Sequence, residues 1–143
     1  MILCDANLLL YAYNADAAGH IKAKEWLEAE FSGPSLFCLS WQTITAFIRI
    51  STNHRAFPQP LSIAEAANIV SSWLDRPQCR LLTETEQHWT ILAELLVNEK
   101  AVGPLVMDAH LAALAIEHGA TLATTDRDFA RFSGLKTINP LES

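Results

Sequence analysis

The chain has 143 residues, half of them hydrophobic, and a formal net charge of −6. That length fits one ordinary domain with a real core, and the acidic balance argues against holding nucleic acid by general electrostatics. It does not exclude an enzyme that meets phosphate through a bound metal, because a set of carboxylates makes a chain look acidic until its cation is counted. No apolar run approaches the ~20 residues of a membrane helix. The start, MILCDANLLLYAY, is interrupted by Asp5 and has no basic region before it, so it does not read as a signal peptide. Cys4, Cys38 and Cys79 are far apart and lack C-x-x-C spacing; they read as reduced, buried thiols of a cytoplasmic protein.

In chain order, MILCD predicts a first strand ending at Asp5. A helix is expected from about residue 17 to 30, with Ala23, Trp26, Leu27 and Phe31 on one face. SLFCL predicts a second strand, and Ser40 then caps a helix carrying Ile44, Phe47, Ile48 and Ser51. NHRAFPQP is a loop. SIAE is a capping box, Ser62 at N-cap and Glu65 at N3, opening a helix with Ile63, Ala67, Val70 and Leu74 on its face. RLLT predicts a strand, and Thr85 a cap for a helix burying Trp89, Leu92, Ala93 and Leu96. AVGPLVM breaks the chain before a helix from about residue 106 to His118, stopped by Gly119. ATLATT predicts a strand, and KTIN a last one. Strands alternating with such helices indicate an α/β domain with a mainly parallel sheet, here a single domain over 1–143. Ligands of such folds sit outside the carboxyl ends of the strands.

Four aspartates fall where that rule places a site. Asp5 ends the first strand; it suits an N-cap for ANLLLYAYN, and a cap and a metal ligand are compatible roles. Asp108 lies in the first turn of its helix on the side of Leu111, Ala112 and Ala115, so it points along the buried face. A carboxylate serving only the helix dipole needs no such placement. Asp126 and Asp128 follow ATLATT, where Asp126 also suits a cap. Thr124 or Thr125 can hydrogen-bond a neighbouring carboxylate, and Asn7 is either a turn residue or a support for Asp5. Clustered carboxylates repel, and a hard divalent cation relieves them. Arg49, His54 and Arg55 form the densest basic segment, readable as an RNA-backbone contact or as a solvated helix end. Arg127 is expected to pair with a neighbouring aspartate. The five histidines show no ligand spacing, and His110 points to a different side from Asp108. The four tryptophans suit helix faces in the core, Trp41 excepted.

Three segments, CDANLLLYAYN, LSWQTITAFIRISTN and MDAHLAALAIEHGATLATTDRDF, resemble PIN-domain ribonucleases, specifically the VapC toxins of bacterial toxin–antitoxin pairs. The resemblance runs the whole length. It implies a PIN-like three-layer α/β fold and a Mg²⁺-dependent endoribonuclease, with Mn²⁺ able to substitute. It places the catalytic, metal-binding acids on Asp5, Asp108 and Asp126, with Asn7, Thr125 and Asp128 in support. It also implies an RNA substrate, a homodimer, and a VapB-like antitoxin that sets an arginine in the metal pocket. Trp41 would then face a dimer or antitoxin surface. One position departs: the family commonly carries a glutamate three residues before an arginine in the second motif, and here Ala46 precedes Arg49. The site is then built from aspartates alone. The alternative reading is an inactive PIN-like module that only binds RNA or a protein. A receiver or small phosphatase fits poorly, because SLFCL and RLLT end without aspartate.

Overall fold

The computed structural model describes residues 1–142. Five strands, β1 (Ile2–Cys4), β2 (Phe37–Leu39), β3 (Cys79–Leu81), β4 (Thr121–Ala123) and β5 (Thr137–Ile138), form one sheet. Its order is β3-β2-β1-β4-β5, with every pair parallel. Six α-helices join them: α1 (Ala6–Tyr13), α2 (His20–Ser32), α3 (Trp41–Ser51), α4 (Ile63–Leu74), α5 (His88–Asn98) and α6 (Pro104–His118). A 3-10 turn spans Arg127–Arg131.

Side chains alternate across the strands and so divide the core in two. Cys4, Phe37, Leu39 and Ala123 face one cluster, packed by α1 to α4. Leu3, Cys38 and Leu122 face the other, under α5 and α6. The result is the expected three-layer α/β arrangement. The first cluster centres on an aromatic knot: the Phe47 and Trp73 rings meet at 4.7 Å, and Tyr13 packs edge-on to both. The Trp73 indole N–H donates to the Tyr13 hydroxyl at 3.1 Å, so the buried ring keeps a polar partner.

The capping signals hold in detail. Ser40 Oγ accepts from Thr43 N at 3.1 Å. Ser62 accepts from Glu65 N at 3.1 Å, and Glu65 returns the bond to Ser62 N at 3.0 Å. Gly119 takes the left-handed conformation at φ 67° that ends α6.

Other expectations need correction. In α4 the buried face is Ala66, Val70 and Trp73, while Ile63 is 66% exposed and Leu74 37%. The helix turns so that Trp73 enters the aromatic knot, which outweighs burying Ile63 at its frayed first position. Thr85 does not cap α5, whose N-cap is Gln87 without a side-chain bond. Its backbone N–H instead donates to Glu117 on α6 at 2.6 Å. Trp89 projects outward, 68% exposed, and Leu95 is the buried anchor of α5. Helix α2 starts at His20 rather than residue 17, because residues 14–19 close turns on Asn14. Helix α6 starts at Pro104, its φ already fixed for a first turn.

Phe47 is fully buried between the sheet and Trp73. Phe47→Ala is expected to cost about 3–5 kcal/mol in urea unfolding; a loss under about 1 kcal/mol would contradict this account of the knot.

Candidate metal centre

The strand order reverses between β1 and β4, since β2 and β3 extend to one side and β5 to the other. In open α/β sheets that crevice, beyond the carboxyl ends, is where ligands bind. Asp5 leaves β1 there, and Asp126 follows β4. The two chains are locked together, with Asp5 N donating to Ala123 O at 2.9 Å.

The register explains the local geometry. Leu3 pairs with Leu122 and Cys4 with Ala123, so the next step sets Asp5 opposite Thr124. Thr124 Oγ1 donates to Asp5 Oδ2 at 2.8 Å, and Asp5 Oδ1 accepts from Ala6 N at 2.8 Å, capping α1. Each carboxylate oxygen is thus tethered once and keeps a lone pair. Thr124 Oγ1 also accepts from Asp126 N at 3.0 Å. One buried hydroxyl therefore orients two of the acids. The hydrogen-bonding threonine is Thr124, and Thr125 makes no side-chain hydrogen bond among the described residues. Asp126 Oδ1 accepts from Asp128 N at 2.9 Å, leaving Oδ2 free. Asp128 itself is exposed.

Beneath Asp5, Ser40 donates to Thr43 Oγ1 at 3.1 Å, and Thr43 donates to Cys4 O at 3.1 Å. This buried pair fixes the end of β1 against α3. Asp108 arrives on the first turns of α6, half-buried and without a hydrogen bond. Helix α6 is held by a chain of polar contacts that sequence spacing did not reveal. His88 Nδ1 meets Glu117, His88 Nε2 meets His110 Nδ1 at 2.9 Å, and His110 Nε2 lies 3.3 Å from Glu84. His110 does point away from the acids, as expected, but it pairs with another histidine 22 residues earlier in the chain.

The acids interact electrostatically. Burial pushes the Asp108 carboxyl up to about 6, with the charges of Asp126, Asp5 and Asp128 adding to the effect. Burial also raises Asp5 above the usual carboxylate range; the Thr124 and Ala6 hydrogen bonds oppose this, and the Asp126 charge adds to it. Among the described residues no three His, Cys, Asp or Glu side chains are drawn together closely enough to hold one metal ion as they stand. Mg²⁺ is commonly held by only one or two carboxylates, with waters and substrate phosphate completing its ligands.

The donor set fits a hard cation. Its oxygens are carboxylates, and two buried amide oxygens nearby, Asn7 Oδ1 and Gln42 Oε1, lack a hydrogen-bond donor. Gln42 Nε2 donates to Met107 O at 3.2 Å, beside Asp108, which fixes the direction of its amide. Ala46, one turn after Gln42, adds no acid from α3. The residues that would hold a cation are Asp5, Asp108 and Asp126.

Arg49, His54 and Arg55 are exposed at the far end of α3, away from the acids. Arg49 lies seven residues, roughly 10 Å, along the helix from Gln42. Arg127 does not pair with an aspartate; it reaches Glu142 at 3.6 Å.

Comparison with known proteins bears on the family and the fold. A model of the PIN domain matches residues 2–135. The ribonuclease VapC37 of Mycobacterium tuberculosis is 39% identical over 98% of this chain and 97% of its own. The ribonuclease VapC33 of the same species is 37% identical over 99% of both. Among solved structures, VapBC2 of Rickettsia felis, bound to a DNA fragment from its promoter, superposes with a TM-score of 0.69 at 19% identity, over 97% of this chain and 98% of that one. The M. tuberculosis toxin VapC20, which cleaves the sarcin–ricin loop, gives 0.68 at 19% identity, over 95% and 99%. Those two likenesses concern the fold. The full-length sequence relatives carry the assignment, and by them the chain belongs to the PIN-domain family, among the VapC ribonucleases.

Proposed function

We propose that the protein is a Mg²⁺-dependent endoribonuclease that hydrolyses RNA phosphodiester bonds and is held in check by a VapB-like antitoxin. The observation that supports this reading is the approach of Asp5, Asp108 and Asp126 at the strand-order reversal, with Asp108 raised by burial and, after it, by its neighbours' charges. A bound cation would polarise a phosphoryl oxygen and stabilise charge on the leaving oxygen. Asp5, Asp108 and Asp126 would hold it, Asp5 and Asp126 each tethered by Thr124 or a backbone N–H. Asp108, free of hydrogen bonds, is set to accept one from the attacking water and aim it at phosphorus. Thr124 acts by positioning. Asn7, Thr125 and Asp128 border the pocket, and Arg49, His54 and Arg55 would touch RNA backbone farther from the cut.

The acid pocket attracts a cationic side chain as well as a metal. An antitoxin segment that places an arginine there would also find apolar surface beside it, because Trp41 is 55% exposed and Met107 51% at the Gln42–Met107 contact. The protein is proposed to work as a homodimer in the cytoplasm. No helix among the described residues is long and apolar enough to cross a membrane. The missing α3 acid at Ala46 favours a second reading, a binding module without activity; the retained aspartate trio favours the nuclease.

Purified protein incubated with total RNA is expected to cut with Mg²⁺ and not with EDTA. Asp108→Asn, prepared identically, is expected not to cut; metal-independent cutting, or cutting by that variant, would refute the assignment. Thr124→Val should lower metal affinity or activity by about 10–100-fold, read by metal titration on a variant of unchanged Tm.

The raised Asp108 group gives a pH test in EDTA. The folded state keeps this proton to higher pH than the unfolded state does. Its effect therefore reduces stability as pH rises from the ordinary aspartate value, about 3.9, through about 6. Asp108→Asn removes this loss. Its Tm advantage over wild type should be small at pH 4 and larger at pH 7, and an equal gap at both would contradict the burial and repulsion described for Asp108.

A further inference from the structure

A second cleft, about 380 Å³, opens past the ends of β4 and β5. It shares Asp126 and Thr125 with the edge of the acid pocket. Its volume lies in the range of small-ligand sites. The far wall is built by Thr137, Ile138, Asn139 and Glu142, residues beyond the span that the PIN model matches. That wall is open because β5 is an edge strand of two exposed residues.

Its chemistry suits a nucleobase better than a phosphate. Asp126 and Glu142 set two carboxylates against one arginine, Arg127, which repels an anion. The Arg127–Glu142 pair, at 3.6 Å with side chains 91% and 61% exposed, is too solvated to occupy either group. Ile138, 37% exposed, and Ala130 offer apolar surface for a ring face. Asn139 Oδ1 already accepts from Leu141 N at 3.0 Å, so its NH₂ remains to donate. A carboxylate that takes two hydrogens at once, beside an amide donor, matches guanine, whose N1–H and N2–H lie next to the O6 acceptor. Sequence-specific RNA recognition reads splayed, unpaired bases through such edges.

We propose that this cleft receives the unpaired base next to the scissile phosphate, with Glu142 and Asn139 favouring guanine, which sets two donors against one carboxylate and an acceptor against the amide. The inference rests on the ribonuclease reading, deepens it, and makes these two residues specificity determinants outside the acid trio.

Two measurements test it. In EDTA, ¹⁵N NMR titration with AMP, CMP, GMP and UMP reads the cleft without any cleavage. Shifts of the Thr137–Asn139 amides are expected, largest for GMP and weakened in Glu142→Gln and Asn139→Ala. No shifts there, or equal shifts in wild type and both variants, would overturn the site. In parallel, cut positions in total RNA with Mg²⁺ are mapped by end sequencing. Wild type is expected to prefer a guanine beside the cut, and Glu142→Gln to cut with that preference relaxed. An unchanged preference would overturn the role of Glu142 while leaving the nuclease reading intact. Amide shifts without any cutting by the wild type would overturn the nuclease reading, and the assignment of the cleft to a substrate with it.

Discussion

Like charges gathered at one edge of the sheet are the constraint on which the rest of this structure turns. Asp5, Asp108 and Asp126 share a half-buried crevice, and burial alone already disfavours the charged forms of Asp5 and Asp108. The fold tolerates them because backbone and hydroxyl donors answer part of the charge. Thr124 serves Asp5 through its hydroxyl hydrogen and Asp126 through its oxygen, and the starts of α1 and of the 3-10 turn supply N–H groups. Asp108 receives no such help and carries the clearest imbalance. A cation would complete what those donors leave undone.

The packing serves the same end. The chain leaving β1 leads on towards β2 and the chain leaving β4 towards β5, on opposite sides, and a crevice opens between them. Asp5 and Thr124 continue the side-chain parity of Leu3 and Leu122, so they face the layer made by α5 and α6. Asp108 comes from that layer. The Glu117–His88–His110–Glu84 chain and the His118 contact to Thr83 O at 2.7 Å pin α6 and the segment before α5 to each other. The aromatic knot on the opposite face supports the sheet from below, and the Ser40–Thr43–Cys4 bonds join that support to Asp5.

Much of this is legible in the sequence, for definite reasons. An aspartate ending an apolar run marks a strand end, and parallel strands bring such ends to one edge. Asp108 shares a helix side with Leu111, Ala112 and Ala115, all buried, so its inward direction follows from periodicity. What sequence left open depends on register and on distant partners. Choosing Thr124 over Thr125 requires knowing that Leu3 lies opposite Leu122. Trp73 displaces Ile63 from the buried face of α4 because Tyr13 and Phe47 wait for it, 60 and 26 residues away by number. Thr85 falls short of the N-cap because α5 begins at His88; its hydroxyl accepts from Gln87 N at 3.2 Å while its own N–H donates to Glu117 across the fold. The orphaned oxygens of Asn7 and Gln42 have no sequence signature, since only burial makes a missing donor matter.

The most direct test of a single shared acid pocket is calorimetric titration of Mn²⁺ into the metal-free protein and into Asp5→Asn, Asp108→Asn and Asp126→Asn, each checked for an intact fold. The account predicts that wild type binds and that every one of the three substitutions weakens binding, because all three carboxylates serve one cation. Undiminished binding in any one folded variant would remove that residue from the pocket, and undiminished binding in all three would contradict the account at its centre.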